Sequence, residues 1–301
     1  MNIIKYRYLF FFISGTFIIA SIFAVLAYGL KPGIDFSGGT LWQIKLSGTD
    51  AGNLSNFFES DLNVKNAVVY PQEADQNLSQ DYSQNFLVRL NHISELDHQN
   101  YLSSLKNKFG EVEELRYETI GPVIGQELKS KAIWAVILVL LGISLYVAYA
   151  FRHVSYPVKS WKYGIITLIT LFHDVVIATG LLAYLGVKYG VELDTKFIVA
   201  LLVILGFSVH DTIVVFDRVR ENLTLGRGKE NLEDIINSSV SQTMARSINT
   251  SLTLVLTLLA LFVYGPLSLK YFVLLIMIGT IVGTYSSIFI ASPMLVYFRN
   301  R

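Results

Sequence analysis

The chain has 301 residues, of which 52% are hydrophobic and only 16% charged, with a formal net charge of +1 and no cysteine. Soluble domains carry about 25% charged residues, so this composition excludes an ordinary soluble protein and points to a chain that spans a membrane several times. It also excludes a disulfide framework and a basic surface suited to nucleic acid.

The first predicted element is an apolar run at 8–28, preceded by Lys5 and Arg7. It is too long for a signal-peptide core and lacks a small-x-small cleavage site, so it reads as an uncleaved signal anchor. Five further runs, 133–151, 163–187, 197–216, 247–264 and 271–298, reach the roughly 18 residues that a spanning helix needs. Cations in the short loops set the orientation. Lys5, Arg7, Arg152, Lys159, Lys162, Arg218, Arg220, Arg227, Lys229, Arg246, Arg299 and Arg301 fall at one set of ends, against Lys188, Lys196 and Lys270 at the other. Both termini are therefore expected on the cytoplasmic side.

Between the first two spans lies a polar stretch, 31–131, with nine Lys or Arg and fourteen Asp or Glu. Its patterning predicts a strand at 40–47, a helix at 53–62, strands at 67–70 and 86–91, a helix at 94–109 and a strand at 113–118. That β-α-β-β-α-β order suits the ferredoxin-like split βαβ motif, with both helices on one face of an antiparallel sheet. Residues 72–84 read as a loop, and His92 and His98 as isolated surface histidines. The expected organisation is 1–30 as cytoplasmic N-terminus and first helix, 31–131 as the outer domain, and 132–301 as helices two to six. Glycine-bearing joints bracket the domain: Gly38 and Gly39 before the first strand, Gly121 and Pro122 before the second membrane helix. Glycine permits positive φ and proline stops a preceding element, so these four residues are the expected hinge.

The chemistry-bearing residues lie inside the spans. His210 and Asp211 sit about three-quarters of the way along 197–216, and a carboxylate at that depth costs roughly 3 kcal/mol, which marks it as a functional candidate. His173 and Asp174 form a second such pair, about ten residues into the third span and close to the expected depth of Asp211, which reads either as a polar pair holding two helices together or as part of the same site. Arg246, on the approach to the fifth span, is the candidate cation. An acid that alternates between an apolar setting and a nearby cation changes its hold on a proton, which is what a carrier requires. Asp217 follows His210 by one helical repeat at the cytoplasmic exit, beside Arg218, Arg220 and Glu221. Ser247, Asn249, Thr250, Ser251 and Thr253 open the fifth span, and Gly279 with Gly283 form a GxxxG in the last. No His-Glu-x-x-His, phosphate-binding loop or nucleophile elbow is present, so neither an enzyme nor a cofactor or metal site is expected.

GIDFSGGT after the first helix, IGPVIG before the second, LFHDV in the third, GFSVHDTIVVFDRVREN in the fourth and INSSVSQTMARSINTSLT leading into the fifth resemble the SecF family, in that family's order and over the whole chain. The resemblance implies six membrane helices, half of an RND-type bundle, with a periplasmic domain between the first two. It implies a multi-pass protein of the bacterial cytoplasmic (inner) membrane, partnered by SecD, the SecYEG translocon, the translocating preprotein and membrane lipid, with no nucleic acid. Its function would be to use the proton motive force to promote late steps of preprotein export, with functional weight on Asp211 and Arg246. Many family members have Asn where this chain has His210, which makes the neighbour of Asp211 a second titratable group. Two rival readings are half of an RND-type proton-coupled exporter and a translocon scaffold without proton use.

Overall fold

The computed structural model describes residues 2–64, 67–72, 83–152, 158–225 and 231–299. Arg227, Lys229 and Arg301 of the cationic set, and residues 73–82 of the expected loop, lie outside the described residues. In chain order the elements are α1 (Arg7–Tyr28), α2 (Ile34–Ser37), β1 (Gly39–Ser47), α3 (Ala51–Asn56) continued by a π turn at Phe57–Asp61, β2 (Val68–Gln72), β3 (Ser83–Leu90), α4 (Glu95–Phe109) and β4 (Val112–Ile120). They continue with α5 (Pro122–Ala150), α6 (Ser160–Tyr189), α7 (Thr195–Leu225), α8 (Leu232–Tyr264), α9 (Lys270–Ser286), a π turn at Ser287–Ala291, and α10 (Ser292–Tyr297). The chain divides into two compact units, Met1–Lys31 with Ala132–Arg301, and Pro32–Lys131.

The first unit is helical, and six helices are long and apolar enough to cross a membrane, at the positions the hydropathy pattern predicts. α6, α7 and α9 form its interior. α1, α5 and α8 instead present rows of exposed large apolar side chains, such as Phe12, Leu26, Leu138 and Leu256, as lipid-facing helices do. Three boundaries differ from expectation: the second spanning helix begins at Pro122 rather than at 133, the fourth runs on to Leu225 rather than ending at 216, and the fifth begins at Leu232 rather than at 247. The preceding polar segment is helical because Leu232, Ile235, Ile236, Ser239, Val240 and Thr243 recur at helical spacing and are buried.

The second unit has a four-stranded antiparallel sheet in the order β2-β3-β1-β4. This is the split βαβ arrangement expected from the sequence. Alternation along β1 places Trp42, Ile44 and Leu46 on the inner face, joined by Phe86, Val88 and Leu90 of β3. Leu54 and Leu105 from the helices, with Phe57 and Phe58 of the π turn, complete that core. Asp50 caps α3 through the Asn53 amide (2.7 Å), and Ser94 caps α4 through that of Asp97 (3.2 Å).

Here His98 departs from its expected surface position. It is 3% exposed and stacks on Tyr117 with ring centroids 3.7 Å apart. Its Nε2 and the Trp42 Nε1 both lie 2.7 Å from Glu114 Oε2. A lone histidine in a polar helix carries no periodic signal of burial; the partner that buries it, Glu114, comes from the far edge strand. Burial, and the nearby charge of Glu95, push the Tyr117 hydroxyl above its usual range.

Candidate functional site

One face of α7 carries a buried polar group. Ser208, Asp211, Thr212 and Val215 are spaced three and four apart and all are buried, with Asp211 at 2% exposure. Asp211 Oδ2 accepts a hydrogen bond of 3.0 Å from Thr284 Oγ1 on α9. Thr284 in turn lies 2.5 Å from Ser251 Oγ on α8. With the Thr284 proton directed at the carboxylate, its oxygen accepts from Ser251, so three helices converge on one acid through two hydroxyls.

Asp174 makes a second centre. His173 Nδ1 lies 2.8 Å from its Oδ1, while Ser208 Oγ at 2.5 Å and Ser286 Oγ at 3.0 Å both meet Oδ2. Ser208 stands one turn before Asp211 and Thr212 on α7. Its carbonyl accepts from Thr212 (3.1 Å) and from Ser287 (3.1 Å), whose own hydroxyls are 2.8 Å apart. The two acids therefore occupy one polar layer of α6, α7, α8 and α9, although no direct hydrogen bond joins them among the described residues.

Close helix approach makes this layer reachable. A Cβ on Gly283 would come within 2.8 Å of Ser208 Cβ, and one on Gly279 within 2.2 Å of Ile204 Cδ1. The GxxxG of the last span is thus the α9 face pressed against α7, which lets the short Ser and Thr side chains on either side touch. The π turn at Ser287–Ala291 follows at once, with Ser292 Oγ bonding the Ser287 carbonyl at 2.9 Å. Such turns widen a helix by one residue per turn and recur at functional sites.

The remaining candidates lie elsewhere. Arg246 is exposed on the isolated chain, and among the described residues it forms no ion pair with Asp211. His210 is exposed too, on the α7 face opposite the polar layer. Asp217 pairs with Arg220 at 2.7 Å, and Arg218 with Glu221 at 2.6 Å, as a solvated helix end does. Within the second unit, the two glycine joints meet each other. Gly38 has a φ of +72°, and a Cβ there would fall 2.8 Å from the Pro122 Cα; one on Gly39 would fall 2.8 Å from the Leu90 carbonyl oxygen, while Gly121 has open space. The unit boundaries fall outside these four residues. Of the α8 hydroxyl run, Ser247 and Ser251 are buried, whereas Asn249, Thr250 and Thr253 are exposed.

Sequence reasoning missed Ser208, Thr212, Thr284, Ser286 and Ser287. Their signal is a stripe of small hydroxyl residues at helical spacing beside the acids and beside the GxxxG. Among the described residues no cluster of three or more His, Cys, Asp or Glu is placed to hold a metal ion.

Residues 100–301 match the family described as "Protein export membrane protein SecD/SecF, C-terminal". The protein translocase subunit SecF of Thermobaculum terrenum is 42% identical over 100% of this chain and 95% of its own length. That of Anaerolinea thermophila is 35% identical over 100% and 94%. The crystal structure of SecDF from Thermus thermophilus, a translocon-associated membrane protein, superposes with a TM-score of 0.82 at 32% identity. The match covers 99% of this chain and 38% of that one, so this chain corresponds to a little over a third of the solved protein.

Proposed function

Because the chain belongs to the SecF family of protein-export membrane proteins, we propose that it acts as a subunit of the Sec translocase, using the proton motive force through an intramembrane site centred on Asp211 to promote late steps of preprotein translocation. The observation that carries this reading is the placement of Asp211: 2% exposed, deep in a spanning helix, and met by the Thr284 hydroxyl of α9, which is itself in contact with Ser251 of α8. An acid kept at that depth is costly, and the expense is justified where a proton must be held and released within the bilayer. One charge moving through 100 mV supplies about 2.3 kcal/mol, enough to shift a two-state equilibrium by some tens of fold.

Arg246 is the cation of the cycle in this proposal. Its exposure on the isolated chain suits a residue that meets the site through a second bundle half, and SecD is the partner proposed to supply that half. The fused SecDF relatives support this, since this chain aligns with 37% of the Thermus thermophilus protein translocase subunit SecDF. SecYEG, the translocating preprotein and lipid complete the proposed surroundings, in the bacterial inner membrane with both termini cytoplasmic. Gly38, Gly39, Gly121 and Pro122 are the proposed joint through which the 32–131 unit, taken as periplasmic, responds.

The decisive experiment is proton flux and export completion in vesicles containing the full complex, with Asp211 and with Asp211→Asn. The variant keeps the shape and removes titration. Assembly is expected intact and gradient-dependent export lost; export that stays as sensitive to the gradient as in the parent overturns the carrier assignment.

A further inference from the structure

The His173 and Asp174 pair is built unlike an inert polar contact. Both residues are buried, at 3% and 1% exposure. Asp174 is provided with three donors from three helices, yet the Nε2 of His173 is buried with no hydrogen-bond partner among the described residues. Leaving a buried polar atom without a partner is costly, and native folds keep few without a use. Because Nδ1 faces a carboxylate oxygen it carries the hydrogen, which leaves Nε2 as a bare lone pair in the neutral ring.

We propose that His173 is a second proton-binding group of the bundle, taking its proton at Nε2, with Asp174 as the fixed counter-ion and with Ser208 and Ser286 as positioning residues. The step is a simple transfer. A proton adds to the Nε2 lone pair, the Nδ1 hydrogen bond to Asp174 stays in place, and release reverses the addition with no other bond made or broken. Uptake converts a buried pair of net charge −1 into a net-neutral ion pair. The proposal deepens the proton-coupled reading and rests on protons entering this bundle.

The surroundings hold few competitors. Between Lys196 and Asp217, α7 contributes Asp211 and the exposed His210; between Tyr271 and the π turn, α9 contributes Tyr285; and α10 contributes Tyr297. α1 carries no ionisable side chain between Tyr8 and Tyr28, α5 none between Lys131 and Tyr146, and the π turn none. Asp211 is the one other buried acid of the membrane unit among the described residues, and Ser208 links its helix to Asp174.

The test is nitrogen-15 NMR of histidine-labelled full chain in lipid nanodiscs, with the His173 signals assigned by their loss in His173→Gln. Over an acid titration, Nε2 is expected to pass from unprotonated to protonated while Nδ1 stays protonated throughout. In Asp174→Asn, which removes the counter-ion, that protonated form is expected to be lost. Ser208→Ala, which leaves both titrating groups and removes a donor from the counter-ion, should alter the titration and decides the matter if Asp174→Asn does not fold. An Nε2 that keeps one protonation state across the range, or one whose titration ignores Asp174→Asn and Ser208→Ala alike, overturns the proposal. The same spectra of Asp211→Asn keep the two readings apart: a failed carrier assignment for Asp211 appears in export, and a failed role for His173 in its own titration.

Discussion

In the 32–131 unit the core around Trp42, Phe58 and Phe86 is apolar, with a single His–Glu–Trp contact at its edge. In the membrane unit the outside is apolar, and the layer between α6, α7, α8 and α9 is made of serines, threonines and two carboxylates. The difference follows from the solvent. Water drives apolar side chains together in the outer unit, at about 25 cal/mol per Å² buried. Lipid gives no such drive between helices, so small residues, close backbone approach and hydrogen bonds hold the bundle, and a polar interior becomes affordable there.

Mutations should respect that division. Trp42→Ala is expected to have the largest effect, about 3–5 kcal/mol against the outer unit, because it empties a fully buried site and removes one of the two donors to Glu114. Limited proteolysis of the full chain in detergent, scored for cleavage within 32–131 at rising denaturant, measures it; a loss below about 1 kcal/mol breaks the apolar-core account. Gly283→Val comes next. Its Cβ would meet that of Ser208 at 2.8 Å, so α9 must retreat from α7, at about 1–3 kcal/mol. The signature is a lower thermal midpoint for the bundle with outer-unit protease resistance unchanged.

Gly38→Val probes the outer unit where its two ends meet, combining a positive φ with a Cβ 2.8 Å from the Pro122 Cα. A cost of about 1–3 kcal/mol is expected from the left-handed backbone alone, read by the same proteolysis; a silent substitution would show that this joint is loose. Ser208→Ala should cost the bundle about 0.6–2 kcal/mol, the worth of an interhelical hydrogen bond in lipid, measured by unfolding in mixed detergent. The smallest effect concerns Glu95. Its carboxyl is held below the usual range by the hydrogen bond from Gln99 and then by His98. A depressed carboxylate contributes stability that is present above its unfolded value and lost as pH falls through its folded one. Gln99→Ala should therefore flatten the acid dependence of outer-unit stability below about pH 4.5, and an unchanged slope would remove Gln99 from the account.

Much of this was legible in the residues. Apolar runs longer than a bilayer is thick, alternation in TLWQIKLS and the helical spacing of 94–109 are local properties, and each element formed where its period indicated. Asp211 and Asp174 stood out for the same reason, as acids in runs that otherwise exclude charge. What failed was local inference about partners. The burial of His98 depends on Glu114 arriving from β4, and the helical start of α8 depends on where Ile235 and Val240 find neighbours.

By itself the sequence determined six spanning helices, a β-α-β-β-α-β unit between the first two, and two intramembrane acids, because period and hydropathy are set by neighbours along the chain. Only the tertiary structure decided that Ser208 and Ser286 serve Asp174, that Thr284 serves Asp211, and that Arg246 stays at the surface of the isolated chain. The rotation of a helix about its axis, and the depth at which it meets another, come from the packing of side chains far apart in sequence, here from Gly279 and Gly283 closing on Ile204 and Ser208.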